Sequence, residues 1–129
     1  MYTSTLFNQE NNYPRAMTQG DNWSKRLEEI IQKYATDADF DNEQLAQKLE
    51  ISQRDLFRKV KKATGYSPNQ YIQKYRLKLA LQLLCEGRYR TVNETAEAIG
   101  YHSVSYFINQ FEKEYGKTPL KVLQENGWR

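Results

Sequence analysis

The sequence is poor in the residues that build metal centres and disulfide frameworks. It has one cysteine, Cys85, and one histidine, His102, among 129 residues. A single cysteine excludes an intramolecular disulfide, and one Cys with one His excludes a site made of several such ligands. We therefore expect no bound metal and no cofactor, and a reducing cytoplasm as the place of action.

Long apolar runs are missing as well. The first 12 residues have neither a basic start nor an apolar stretch, and the most apolar segment, 77–85, is interrupted by Lys78 and Gln82. Neither a secretion signal nor a membrane-spanning helix is therefore expected. An enzyme would need a nucleophile beside a base, paired carboxylates in a pocket or a set of metal ligands. No such pattern occurs, so the sequence does not predict an enzyme.

The excess of positive over negative charge in the chain is small. The chain carries 19 Lys and Arg against 16 Asp and Glu, a net charge of +3. This excess is too small to indicate a polyanionic partner by itself, so the distribution of the charges along the chain has to decide.

Helical spacing of apolar residues begins after residue 20. Residues 1–20 are rich in Thr, Ser, Asn and Gln and are predicted as a disordered tail or interdomain linker. Beyond them the pattern predicts seven helices and no strand, an all-α fold. The expected helix starts are Asp21 or Asn22, Asp41, Ser52, Ser67, Thr91, Ser103 and Thr118. The expected stops are Ala35, Gly65, Gly87, Gly100, Gly116 and Gly127. Two starts, 52–55 and 91–94, have the spacing of a capping box.

The chain contains an internal repeat. Four residues have a counterpart of the same kind 51 positions later. Ala46 and Leu49 have their counterparts, Ala96 and Ile99, 50 positions later. The four pairs are Leu56 and Phe107, Val60 and Phe111, Gly65 and Gly116, and Pro68 and Pro119. Each half reads as a short helix, a tight turn and a helix with apolar residues four apart, which is the helix-turn-helix pattern.

An ordinary pair of αα-hairpins is the alternative, but the repeated Gly and Pro punctuation favours nucleic-acid binding. We predict a first helix-turn-helix subdomain over 21–66, a linker helix over 67–87 and a second subdomain over 88–129. The linker helix from 68 to 86 would be about 28 Å long, comparable with the ~34 Å between major grooves on one face of DNA.

The first recognition helix is expected over 52–64. If Leu56 and Val60 face inward, the outward side chains are Gln53, Arg54, Phe57, Arg58 and Lys61. Residues 52–62, which include Lys62, hold five cations against one anion. Such a concentration of positive charge suits a helix that faces phosphates.

Arginine pairs with guanine and an exposed Phe can contact a thymine methyl group, so Arg54, Phe57 and Arg58 are the candidates for base recognition. Lys59, Lys61 and Lys62 are expected to meet phosphate or solvent. The alternative is a solvated basic face with Phe57 packed against a neighbour.

The second recognition helix, 103–115, is less basic. Its predicted outer side comprises Ser103, Val104, Ser105, Tyr106, Asn109 and Gln110, and Lys113 is offset by two flanking Glu residues. Asn109 suits adenine, and Ser105 and Tyr106 suit base edges or phosphate. Gln110 is equally compatible with a packing role, and His102 with a phosphate contact, a pH-sensitive group or a turn residue.

Ten tyrosines could suggest base stacking. The helical spacing of Tyr71, Tyr75, Tyr101 and Tyr115 favours core packing instead, and Cys85 is expected to be a small core residue.

These residues together resemble the AraC-type DNA-binding domain over about residues 22–125. The resemblance is carried by SQRDLFRKVKKATGYSP at 52–68, YIQKYRLKLALQLL at 71–84, and AEAIGY at 96–101 followed by Tyr106, Phe107, Phe111, Gly116, Thr118 and Pro119. The first unit is similar to the output domains of hybrid two-component regulators.

The resemblance implies a bacterial transcription regulator, usually an activator. Its two recognition helices would occupy adjacent major grooves of double-stranded DNA, with RNA polymerase as a partner and a sensory or receiver domain upstream in a longer chain. Asn109 stands where the family often has Arg, so the second helix departs from the usual pattern. A transposase-type bipartite DNA-binding module and a protein-binding helical bundle are the rival classes.

Overall fold

A computed structural model describes residues 22–127 of the chain. The predicted tail or linker, 1–20, and the possible cap Asp21 lie outside the described residues. The described part has seven α-helices and no strand, which confirms the all-α prediction. The helices are α1 Asn22–Tyr34, α2 Asn42–Leu49, α3 Gln53–Thr64, α4 Pro68–Glu86, α5 Val92–Ala98, α6 Val104–Tyr115 and α7 Pro119–Glu125.

Side-chain caps fix the starts of six of these helices. In each, an Asp, Ser or Thr side chain accepts a hydrogen bond from the backbone N–H three residues later, as expected of an N-cap. The caps are Asp41, Ser52, Ser67, Thr91, Ser103 and Thr118. The box predicted at 91–94 is complete, because Glu94 also accepts from the N–H of Thr91.

The box suggested at 52–55 is only half formed. Ser52 Oγ accepts from the N–H of Asp55, but the Asp55 carboxylate accepts instead from Arg58, 2.8 Å away on the same helix. A complete box occurs at the start of α4, where Ser67 and Gln70 bond each other's backbone N–H groups.

Two hydrophobic cores lie along α4. The first contains residues of α1, α2 and α3 together with Tyr71, Ile72 and Tyr75 of α4. The second contains residues of α5, α6 and α7 together with Leu77, Ala80 and Leu84 of α4, and Leu79 packs against both cores. Helix α4 therefore contributes to both cores.

The anchors predicted from the repeat are buried in these cores. Leu56 and Val60 of α3, and Phe107 and Phe111 of α6, are at most 1% exposed. Their burial fixes which face of α3 and of α6 is turned outward, because residues three and four apart share a helix face.

The core tyrosines and Cys85 take the expected positions. Tyr71, Tyr75 and Tyr101 are buried, whereas Tyr115 and Cys85 are partly buried against the second core.

One prediction for the outer side of α6 is wrong. Val104 is partly buried and packs against the second core. It lies three residues before Phe107 and seven before Phe111, so it shares their inward face.

Candidate nucleic-acid interface

Helix α3 presents the outward face predicted for the first recognition helix. All six candidate side chains on it are exposed: Gln53, Arg54, Phe57, Arg58, Lys61 and Lys62. Phe57 is 53% exposed, which disagrees with the alternative in which it packs against a neighbour. A large apolar side chain in the middle of a basic face is available for contact with another molecule.

Arg58 is held by an acid on its own helix. Its Nη2 atom lies 2.8 Å from Asp55 Oδ1, while 71% of the Arg58 side chain is exposed. The hydrogen bond from Arg58 holds the pKa of the Asp55 carboxyl below its ordinary value of 3.8. The guanidinium has five N–H donors, so it can keep this bond and still offer donors to a base.

The lysines of α3 divide into two kinds. Lys59 turns back toward α1, with its Nζ 5.1 Å from the centre of the Trp23 ring. Lys61 and Lys62 are exposed and form no ion pair with any residue between 22 and 127. Because these two carry uncompensated charge near the end of the helix, they are the cations best placed to neutralise phosphates.

The exposed face of α6 is polar rather than basic. Ser105, Tyr106 and Asn109 are exposed, whereas Gln110 is partly buried. Ser103 is also exposed, but its Oγ serves as the N-cap by accepting from the N–H of Tyr106. The second helix therefore offers hydrogen-bonding groups at its start and middle, which is where a recognition helix meets base edges.

Charge on α6 is largely compensated. Glu114 binds Lys74 of α4, with 2.9 Å between Nζ and Oε2. Lys113 and Glu112 are both exposed and adjacent in sequence. Lys113 therefore provides one cation beside one uncompensated anion, so this helix attracts phosphates weakly.

His102 takes part in a contact that the sequence did not reveal. Its Nε2 lies 3.3 Å from Asp39 Oδ1, which belongs to the loop after α1, 63 residues earlier in the chain. Both side chains are exposed. The contact joins the two units, and no local pattern could have predicted it.

No helix within residues 22–127 is long and apolar enough to cross a membrane.

Comparisons with known proteins agree with this architecture. The model of a family described as a helix-turn-helix domain matches residues 45–125. A histidine kinase, P4, from Formosa agariphila is 34% identical over 95 residues, which cover 74% of this chain and 7% of the kinase. The chain spans 7% of that relative and about a quarter to a third of several regulators that it also matches.

Two solved structures share the fold of this chain over nearly their whole length. The C-terminal domain of the two-component response regulator yesN from Fusobacterium nucleatum has a TM-score of 0.75 and 31% identity, covering 80% of this chain and 99% of that one. A probable AraC family transcriptional regulator from Rhodopseudomonas palustris has a TM-score of 0.71 and 27% identity, covering 82% and 98%. The expectation of a DNA-binding domain of a transcription regulator is thereby confirmed. The chain belongs to the AraC family of helix-turn-helix transcription regulators and carries that family's DNA-binding domain.

Proposed function

We propose that this chain binds double-stranded DNA sequence-specifically by inserting α3 and α6 into adjacent major grooves. The observation that carries the proposal is the equivalence of the two helices. Each is anchored by two fully buried apolar residues four apart and turns a polar face outward. Helix α4, with 19 residues, spans about 28 Å, close to the ~34 Å between major grooves on one face.

The proposed division of roles follows the chemistry of each face. Arg54, Phe57 and Arg58 contact bases from α3, since Arg matches guanine and Phe a thymine methyl group. Gln53, a polar residue at the start of the same face, also belongs to the proposed DNA contacts. Lys61 and Lys62 contact phosphates.

For the second recognition helix, hydrogen-bonding side chains make most of the proposed contacts with DNA. Asn109 pairs with adenine, while Ser103, Ser105 and Tyr106 contact base edges or phosphate. Gln110, being partly buried, contributes packing as well as any contact with DNA. Lys113 supplies the only cation on this helix, which covers residues 104–115.

The regulatory context is proposed from the family. We expect an activator that acts in the cytoplasm on promoters and contacts RNA polymerase. The match to a small part of a histidine kinase supports a longer parent protein in which a sensory or receiver domain precedes this chain. Run-off transcription with and without the bound site would test activation.

Selection of bound sequences from random duplex DNA tests the central proposal. Two short conserved blocks whose centres lie about one helical turn apart, 10–10.5 base pairs, are expected. Nuclease protection should then cover two major grooves on one face. Protection of a single groove would contradict the use of both helices. A lack of salt-dependent binding to any duplex would favour the protein-binding bundle.

A further inference from the structure

Arg76 lies in the middle of α4, where the two cores meet, and is 5% exposed. Its guanidinium donates three hydrogen bonds to backbone carbonyls of the first unit. Nε donates to Ala35 at 2.6 Å, and Nη2 donates to Asp37 at 3.0 Å and to Phe40 at 3.3 Å. Burial of a charged group is costly unless it is hydrogen-bonded. These bonds therefore tie α4 to the end of α1 and the loop that follows.

The second unit touches the same place. The Arg76 guanidinium carbon lies 5.9 Å from the centre of the Tyr101 ring. A Cβ atom on Gly100 would lie 2.9 Å from both the Ala35 oxygen and Arg76 Nε. With the contact between His102 and Asp39, residues 100–102 lie directly against residues 35–39.

Comparison of the two repeats shows what is special about Gly100. The equivalent residue 50 positions earlier is Glu50, which is exposed and also has positive φ, +61°. A turn of this kind therefore accommodates a side chain in the first unit. In the second unit φ is +99° and the backbone of the first unit fills the space. Gly100 thus permits the two units to approach.

We propose that Arg76 and Gly100 form a joint that sets the orientation of α6 relative to α3, and with it the spacing of the two halves of the DNA site. The turn at 100–102 leads directly into α6, so a displacement at the joint moves the start of this helix. Arg76 acts as a positioning residue and does not contact DNA. The consequence for spacing rests on the proposed function, whereas the joint itself does not.

Arg76→Lys is the informative variant because it keeps the charge. A lysine ammonium is a compact group on a flexible stem and cannot reproduce the planar fork that reaches three carbonyls. Arg26→Lys is the matched control. Arg26 also donates to a carbonyl, that of Lys48 at 2.6 Å, but both residues belong to the first unit.

A measurement without DNA tests the joint. Spin labels at the exposed positions Gln47 in α2 and Gln124 in α7, in a Cys85→Ala background, report the distance between the units. We expect one narrow distance distribution for the parent and for Arg26→Lys, and at least a two-fold broader one for Arg76→Lys. A broad distribution in the parent, or an unchanged one in Arg76→Lys, would overturn the proposal. If Arg76→Lys does not fold, Gly100→Ala takes its place in this measurement, because the added Cβ pushes residues 100–102 away from residues 35–39.

A measurement with DNA tests the consequence. One base pair is inserted between the two halves of the selected site, and the affinity of each folded variant is measured. We expect the insertion to weaken the parent at least ten-fold and Arg76→Lys less than three-fold. Equal losses would refute control of spacing by the joint. If the label distances respond but no two-part site exists, the joint stands and the proposed insertion of both helices fails.

Discussion

Arg58 combines a structural contact with a proposed contact to a base. Its exposed guanidinium is held 2.8 Å from Asp55 one turn earlier on α3. We predict that Arg58→Ala weakens binding by about 1–3 kcal/mol and relaxes preference at one base pair, as for an arginine that pairs with guanine. Affinities for the selected site and its single-base variants would measure this. A uniform loss across all sequences would show a phosphate contact.

The pairing of Arg58 with Asp55 also predicts how the stability of the fold depends on pH. Arg58 lowers the pKa of Asp55 below 3.8, so the pair stabilises the fold above that value and loses its contribution as the pH falls through the lower, folded-state pKa. Titration of the Asp55 carboxyl by NMR should show a pKa below 3.8 in the parent and a rise toward it in Arg58→Ala. Arg54→Ala, which alters a neighbouring arginine, is the control. An unchanged pKa in Arg58→Ala would mean that the ion pair is absent in solution.

Among the elements, α4 depends on its first turn. Ser67 and Gln70 form a complete capping box there, and the helix supplies residues to both cores. Ser67→Ala should lower the free energy of unfolding by about 1 kcal/mol, the usual cost of losing an N-cap. Urea denaturation would measure it, with Asn69→Ala at an exposed position of the same helix as the control. Equal effects of the two changes would argue against the cap.

Local signals made most helices predictable from the sequence. Caps such as Ser67 and Thr91 act on N–H groups three residues away, and anchors such as Leu56 and Phe107 follow from helical spacing. The inward turn of Val104 was missed because polar neighbours at 103 and 105 outweighed its spacing from Phe107.

Contacts between distant residues could not be predicted in this way. In the sequence Arg76 is one of several polar residues of α4, yet its acceptors lie 36 to 41 residues earlier. No periodic pattern encodes such a separation. The outward faces of α3 and, apart from Val104, of α6 were predictable because buried anchors four residues apart determine them. The pairing of Arg58 with Asp55 is a local contact that their spacing of three residues on one helix allows.

Seen across the whole molecule, positive charge is much more concentrated on α3 than on α6. Residues 52–62 hold five cations and one anion, and residues 103–115 hold one cation and two anions. The structure sharpens this contrast, since Lys61 and Lys62 are exposed without ion pairs among residues 22–127. We therefore expect α3 to make more of the phosphate contacts than α6.

The dependence of affinity on salt measures this asymmetry, because each phosphate contact releases condensed counterions. Replacing both Lys61 and Lys62 by Ala should flatten the slope of log affinity against log salt by up to about 2 units. Replacing both Ser105 and Asn109 by Ala should leave the slope nearly unchanged, since neither carries charge, and should alter sequence preference at one end of the site. An equal change of slope in the two double variants would contradict this division. The second unit would then hold phosphate through groups other than these two side chains, such as Lys121 or the backbone N–H groups at the start of α6.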